Sequence, residues 1–285
     1  MSDLADTLLR GGRRRLPLFG EDGEDDAPAL LGLPAPVPAR QGVHLPDHGE
    51  LPARTFAILS AVKDALQAPP ATGTVVFSLD ALGAEERAAL WDMLGAGEVS
   101  IVVQGASRYE IEETALPGVF RVRTRRADGD SLHLEVGAVP AVVAFAAEHG
   151  TSGELPLDAT APPGLMNAQP LLAELRHRMA TASSAATHVI SLSLLPMNAE
   201  DAVYLARALG AGPVTAESRG YGTCRVTATA RRGIWAVQYF NVMDAMILDT
   251  LEVGGVPAVL LAAPMDLEDS AIRLAELLTE TGASS

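Results

Sequence analysis

One block of residues occurs twice in this chain, and the spacing between the copies constrains the fold more than any other feature. Leu94-Gly95-Ala96-Gly97-Glu98-Val99-Ser100 returns 115 positions later, at 209, as Leu209-Gly210-Ala211-Gly212-Pro213-Val214-Thr215. At the same offset Ala84-Glu85-Glu86 matches Ala199-Glu200-Asp201, and Gly118-Val119-Phe120-Arg121-Val122 matches Gly233-Ile234-Trp235-Ala236-Val237. Glu135-Val136-Gly137-Ala138-Val139-Pro140 then pairs with Glu252-Val253-Gly254-Gly255-Val256-Pro257 at an offset of 117. A growth of two between aligned blocks predicts a duplicated domain with one longer loop. Units of roughly 100 residues are domain-sized rather than solenoid-sized, so the chain is a pseudo-symmetric pair. Such a pair builds a two-lobed surface with a groove or face between the lobes, suited to grasping a macromolecule or holding a substrate.

Hydrophobic periodicity gives the same element order in both units. The first opens with a helix over Thr55–Leu66, where Phe56, Leu59, Val62 and Leu66 fall at helical spacing. A buried strand at 74–79, a helix at 84–94 and half-buried strands at 98–103, 108–114, 119–124 and 131–136 follow, then a helix from Pro140 to about Glu148. The second unit reads as helix 170–179, strand 187–192, helix 199–209, and strands 214–218, 224–230, 233–240 and 246–253. A last helix spans about 267–279, with Asp266 as N-cap and Asp269 three residues on. The predicted class is α+β: two tandem homologous units, each a mostly antiparallel sheet with helices on one face. The chain divides into a disordered acidic and Pro-rich tail (1–50, with at best a short helix at 4–9), a first unit (51–150), a linker (151–169) and a second unit (170–285). The Gly-, Thr-, Ala- and Pro-rich stretch 150–163 marks that linker.

The formal net charge is -15 and the pI about 4.7, which argues against nucleic acid and anionic membrane surfaces and favours a basic partner. A single cysteine excludes an internal disulfide framework and a thiolate metal site built from this chain alone. No apolar run reaches the roughly 18 residues of a spanning helix. Arg13-Arg14-Arg15-Leu16-Pro17-Leu18 resembles a twin-arginine export signal, but Gly20-Glu21-Asp22-Gly23-Glu24-Asp25-Asp26 stands where an apolar stretch is needed. The expected location is therefore the cytoplasm, without membrane insertion.

Nucleotide-loop, nucleophile-elbow and zincin motifs are absent from the sequence. The two Leu-Gly-Ala-Gly segments follow helices and precede strands, so Gly95 and Gly210 read as left-handed helix C-caps and not as phosphate loops. His44, His48 and Glu50 have ligand-like spacing, but Pro46 makes a polar linker the expected reading. His133, His149, His177 and His188 stand singly in different elements. Asp80 ends the first strand opposite Leu195 in the second unit, which predicts a turn or capping role. The most distinctive stretch is Ser218-Arg219-Gly220-Tyr221-Gly222-Thr223-Cys224-Arg225-Val226-Thr227, a tight turn that leaves Tyr221 prominent. Arg219 and Arg225 could lower the pKa of the Cys224 thiol, although most lone cysteines are small core residues. Trp235, Tyr239 and Phe240 alternate faces, which predicts core packing for most of their area and leaves an exposed aromatic contact patch as the alternative.

Several of these residues carry a family likeness. Gly164-Leu165-Met166-Asn167, the Gly220-Tyr221-Gly222 turn, Cys224–Ala230 leading to Trp235–Asn241, and Ala262–Ala271 with Arg273-Leu274 resemble hydrogenase expression/formation proteins of the HupH/HyaF/HoxQ type. In the first unit Gly97–Ser100, Glu112-Glu113-Thr114 and Gly118–Val122 agree, so the likeness spans about 55–280. The long charged tail departs from some relatives. The resemblance implies accessory work and not catalysis: a cytoplasmic chaperone-like factor for an uptake [NiFe] hydrogenase, without a cofactor or bound metal of its own. Its implied partners are the immature iron–sulfur small-subunit precursor and a thioredoxin-like companion, with no nucleic acid. The contact candidates on this reading are Gly164, Leu165, Met166, Asn167, Arg219, Tyr221, Cys224, Arg225, Trp235 and Tyr239. The alternative is a redox or cluster-handling factor acting through Cys224.

Overall fold

The computed structural model of the chain describes residues 51–155, 162–181, 187–220 and 222–282. The elements run α1 (Ala53–Gln67), β1 (Val75–Ser78), α2 (Ala84–Leu94), β2 (Val99–Gln104), β3 (Arg108–Glu113), β4 (Val119–Arg125), β5 (Ser131–Val136) and α3 (Ala141–His149). They continue as α4 (Ala168–Thr181), β6 (His188–Ser191), a 3-10 turn (Leu192–Leu194), α5 (Ala199–Leu209), β7 (Ala211–Arg219), β8 (Thr223–Thr229), β9 (Ile234–Phe240) and β10 (Met246–Val253). A second 3-10 turn (Ala258–Leu260) leads to α6 (Pro264–Gly282). The α+β class and the tandem units are those the sequence predicts, while the helix expected near 4–9 lies outside the described residues.

Helix periodicity selects the buried stripe of α1, with one substitution. Thr55 is fully buried with Leu59, Val62 and Leu66, whereas Phe56 is 39% exposed. The Thr55 hydroxyl donates to the Glu86 carbonyl at 3.0 Å, which offsets the cost of burying it. Both Leu-Gly-Ala-Gly segments are helix stops, as expected. Gly95 (φ 60°) and Gly210 (φ 64°) cap α2 and α5, but with extended ψ of -169° and 170°, a region reserved for glycine, and not the left-handed helical one. A Cβ on Gly97 would sit 2.3 Å from the Thr114 carbonyl oxygen, and one on Gly212 2.3 Å from that of Thr229, the equivalent residue. The repeated glycines therefore mark where strands pass close together.

The ten strands form one antiparallel sheet in the order β1-β5-β4-β3-β2-β7-β8-β9-β10-β6. The units meet edge to edge, β2 against β7, with Ile101 opposite Ala216. Those two residues are equivalents at the 115 offset, so the pseudo-two-fold axis passes between them and the seam is a β-ladder, not a cleft.

Side-chain alternation separates two faces. On one, α1, α2 and α6 cover the β1-β5-β4 end in an apolar cluster with Val119, Leu134 and Val136. On the same face α4 and α5 cover the other end with Ile190, Ile234, Ala236, Leu251 and Val253. On the opposite face α3 and the second 3-10 turn cover the centre through Val143, Ala146 and Leu260, over Ile101, Phe120, Val122, Val214, Val226, Trp235 and Val237. The opposite-face position of α3 is an addition to the predicted layering. It follows from a central stretch of sheet that is apolar on only that side.

The last helix, α6, crosses back to pack on α1, with Leu267, Ala271, Leu274 and Leu278 in the first unit's core. It starts at Pro264, so Asp266 is not its N-cap. Asp266 sits three residues past Ala263 and accepts that residue's N–H at 3.0 Å. The beginning of the linker is docked too: Ser152 bridges Arg231 and Leu155 is buried in the second unit's core.

Candidate partner-binding face

Between the two helical ends, the central strands carry polar and charged side chains on the helix-bearing face. Ladder register sets Glu112 of β3 against Arg121 of β4 and Ser100 of β2, and Glu110 against Arg123 and Val102. Across the seam Ser100 and Val102 lie opposite Glu217 and Thr215, and Glu217 lies opposite Arg225, which faces Gln238. Arg121 pairs with Glu112 and stacks over the Trp91 ring at 4.9 Å. Glu110 receives Arg108 at 3.1 Å and Arg125 at 3.0 Å, and Arg125 also reaches Asp130 at 3.3 Å. Burial alone would raise the Glu110 carboxyl, but the hydrogen bonds and charge of Arg125 and Arg108 hold it below the usual carboxylate range. Arg219 pairs with buried Glu217, and Arg225 lies 3.8 Å from both Glu217 and Asp244, with its guanidinium 4.5 Å from the Phe240 ring.

These arginines are matched by carboxylates, so the face is locally balanced in a chain of net charge -15. The rim of this face is open to water, Arg125 being 45% exposed and Glu112 33%, whereas Ser100, Val102, Glu217 and Gln238 at its centre are buried. Exposed pairs add little to stability. A broad, structured polar surface is instead suited to orienting a macromolecular partner.

The other face accounts for Cys224. It is buried beside Tyr239, in the cluster that holds Trp235 and Val226. Burial pushes its thiol up to about 11, the bond with Tyr239 opposing and the charge of Glu252 adding to the rise. The Tyr239 hydroxyl is likewise pushed up to about 12 by burial, Cys224 and Glu252. Arg225, next in the strand, points to the opposite face, so it does not activate the thiol, and Cys224 sits in the core as a small apolar residue. Trp235 is 2% exposed and Tyr239 half-buried on this face, while Phe240 lies buried on the other. Tyr221 lies outside the described residues, as do His44, His48 and Glu50. Among the described residues, no three His, Cys, Asp or Glu side chains are grouped to hold a metal ion, and no helix is long and apolar enough to cross a membrane.

Residues 55–160 and 165–281 each match the family described as HupH hydrogenase expression protein, C-terminal conserved region. The chain belongs to the HupH family. It is 41% identical over 269 residues to the hydrogenase expression/formation protein HupQ of Azotobacter chroococcum mcd 1, covering 90% of this chain and 93% of that one. The hydrogenase-1 operon protein HyaF of Escherichia coli K12 is 36% identical over 234 residues, covering 79% and 80%. A solved structure, the hydrogenase expression protein HupH from Thiobacillus denitrificans, is 28% identical with a TM-score of 0.36, covering 40% of this chain and 96% of that one.

The HupH-like motif Gly164-Leu165-Met166-Asn167 forms the entry to α4. The fully buried Asp201 carboxylate accepts the N–H groups of Met166 (2.9 Å), Asn167 (3.1 Å) and Ala168 (2.9 Å) through Oδ1, and that of Asn198 (3.2 Å) through Oδ2. Asn198 Nδ2 donates to the Gly164 carbonyl at 2.7 Å and Asn167 Nδ2 to that of Pro196 at 2.6 Å. Burial raises the Asp201 carboxyl, but these backbone N–H groups hold it below its ordinary value. Of the motif, only Gly164 and Met166 are exposed, Met166 by 58%. The sequence signal for Asp201 was its place in the repeat opposite Glu86, a different helix-capping acid.

Asp80 has a structural role of the kind expected, with a different counterpart. Its Oδ1 accepts the Leu132 N–H at 3.0 Å, just as Ser193 Oγ accepts that of Asp249 at 2.9 Å. Leu132 and Asp249 are equivalents at the 117 offset, so Ser193, and not Leu195, stands in the place of Asp80.

Proposed function

We propose that this HupH-family protein is a non-enzymatic maturation factor for an uptake [NiFe] hydrogenase. It binds the immature iron–sulfur small subunit in the cytoplasm, before export and assembly with the large subunit. The observation that carries this reading is the identity of about 40%, over nine-tenths of the chain, to proteins named for hydrogenase expression and formation. The central polar face of the sheet supports it as a surface wide enough for a protein client. The mechanism is differential affinity: the factor holds the immature state and lets go when cluster insertion and large-subunit docking disfavour the bound conformation. A buried thiol with a raised pKa is a poor nucleophile and metal ligand at neutral pH. This weighs against the alternative of cluster or redox handling through Cys224.

The test is co-purification of the tagged full-length protein with the small-subunit precursor, set beside the mature assembled enzyme. Capture of the precursor alone is the expected result. Failure to capture either, with the protein folded, overturns the reading. Cys224→Ser is expected to retain both client capture and hydrogenase maturation, and lost maturation with intact capture would restore the alternative.

A further inference from the structure

The two-residue growth between the copies falls on one hairpin. In the first unit Thr124 pairs with Ser131, with 125–130 between them, whereas in the second Tyr239 pairs with Leu248, with 240–247 between them, a stretch that includes the Phe240–Met246 pair and a shift of register before Leu248. The shorter hairpin is polar, Arg125-Arg126-Ala127-Asp128-Gly129-Asp130, and the longer reads Phe240-Asn241-Val242-Met243-Asp244-Ala245-Met246-Ile247. Val242 is 86% exposed, Met243 80% and Ile247 63%. The 3-10 turn after β6 packs beside β10 and adds Leu194, 84% exposed, where the first unit has Ala81.

The tip is firmly built. Asn241 Oδ1 accepts the N–H groups of Met243 (2.9 Å) and Ala245 (3.0 Å), Asp244 takes a positive φ of 57°, and the Asp244 N–H returns to the Asn241 carbonyl at 3.0 Å. Arg225 braces the base, against Phe240 and Asp244. The first unit closes the same hairpin with polar residues, so the scaffold does not require apolar ones. Exposed apolar side chains gathered on a hydrogen-bonded hairpin mark a contact site, and methionine adapts to varied surfaces.

We propose that the β9–β10 hairpin, with Leu194, is a docking site for an apolar polypeptide segment flanked by basic residues. Charge selects that occupant. At -15 the chain repels a second copy of itself and an anionic bilayer, and attracts a cationic segment. The proposal deepens the client-binding reading, on which it rests only for the partner's identity.

The experiment titrates the full-length protein with a fluorescent leucine-rich peptide carrying lysine flanks, and with the same peptide carrying glutamate flanks. The lysine form should bind at least about tenfold more tightly, by an amount that shrinks at high salt. Val242→Ser/Met243→Ser should lose about tenfold, as anchor residues do, while Ala127→Ser/Asp128→Ser should change nothing. Equal binding of both peptides, or no loss in the hairpin variant, overturns the proposal. So does self-association, or binding to phosphatidylglycerol vesicles, that the hairpin variant abolishes. With the small-subunit precursor as probe, capture unaffected by the hairpin variant overturns the hairpin alone. No precursor capture by either protein, with peptide binding retained, overturns the client reading alone.

Discussion

Replacing Asp201 with alanine removes the acceptor for three backbone N–H groups at the entry of α4 and a fourth at Asn198. The expected cost is about 1–3 kcal/mol, read as a lower urea midpoint with an unchanged slope. Glu113 supplies a pH signature of the opposite sign. Burial pushes its carboxyl from 4.5 up to about 7, opposed by the Gly118 N–H and aided by the charges of Glu98 and Asp266. The folded state therefore keeps its proton where the unfolded chain has lost it, so this contribution is complete below about pH 4.5 and declines as pH rises toward 7. Glu113→Gln should flatten that decline and raise Tm at pH 8 above wild type, measured by thermal melts across pH. At this scale the sequence was legible where a residue's role depends on its neighbours along the chain, as for Gly95 and Gly210. It was not legible for Asp201, three of whose four backbone donors lie more than 30 residues away, nor for Glu113, whose shift comes from burial.

Element types and order follow from periodicity, because the alternation of β4, the short apolar run of β9 and the stripes of α1 and α5 are local patterns. Placement in the layers does not. Pro140 and the apolar run after it predict α3, but that helix goes to the face where Phe120, Val122 and Val226 present an apolar floor. The final helix reads as a plain amphipathic segment, yet it completes the core of the first unit. Leu274→Ala should therefore cost about 2–5 kcal/mol and reduce amide protection in α1, more than 200 residues earlier in the chain. Amide exchange followed by mass spectrometry reads this directly, and protection lost only within α6 would contradict the packing.

At the scale of the whole molecule, a β-ladder seam and a helix shared between the units predict cooperative unfolding. The chain's two tryptophans fall one in each unit, Trp91 in α2 and Trp235 in β9. Trp91→Phe and Trp235→Phe variants thus leave one reporter per half, and their fluorescence transitions should coincide when each is corrected for its own stability. Ala216→Pro removes a backbone donor at the centre of the seam strand and should separate them. The sequence by itself determined that there are two copies, their class and element order, and the family, because duplication and periodicity survive as patterns along the chain. Only the tertiary structure decided that the copies fuse into one ten-stranded sheet about Ile101 and Ala216, that a polar face lies between the helical ends, and that the two extra residues lengthen an apolar hairpin. Strand pairing and exposure depend on which distant segments meet, and hydrophobic pattern alone leaves that choice free.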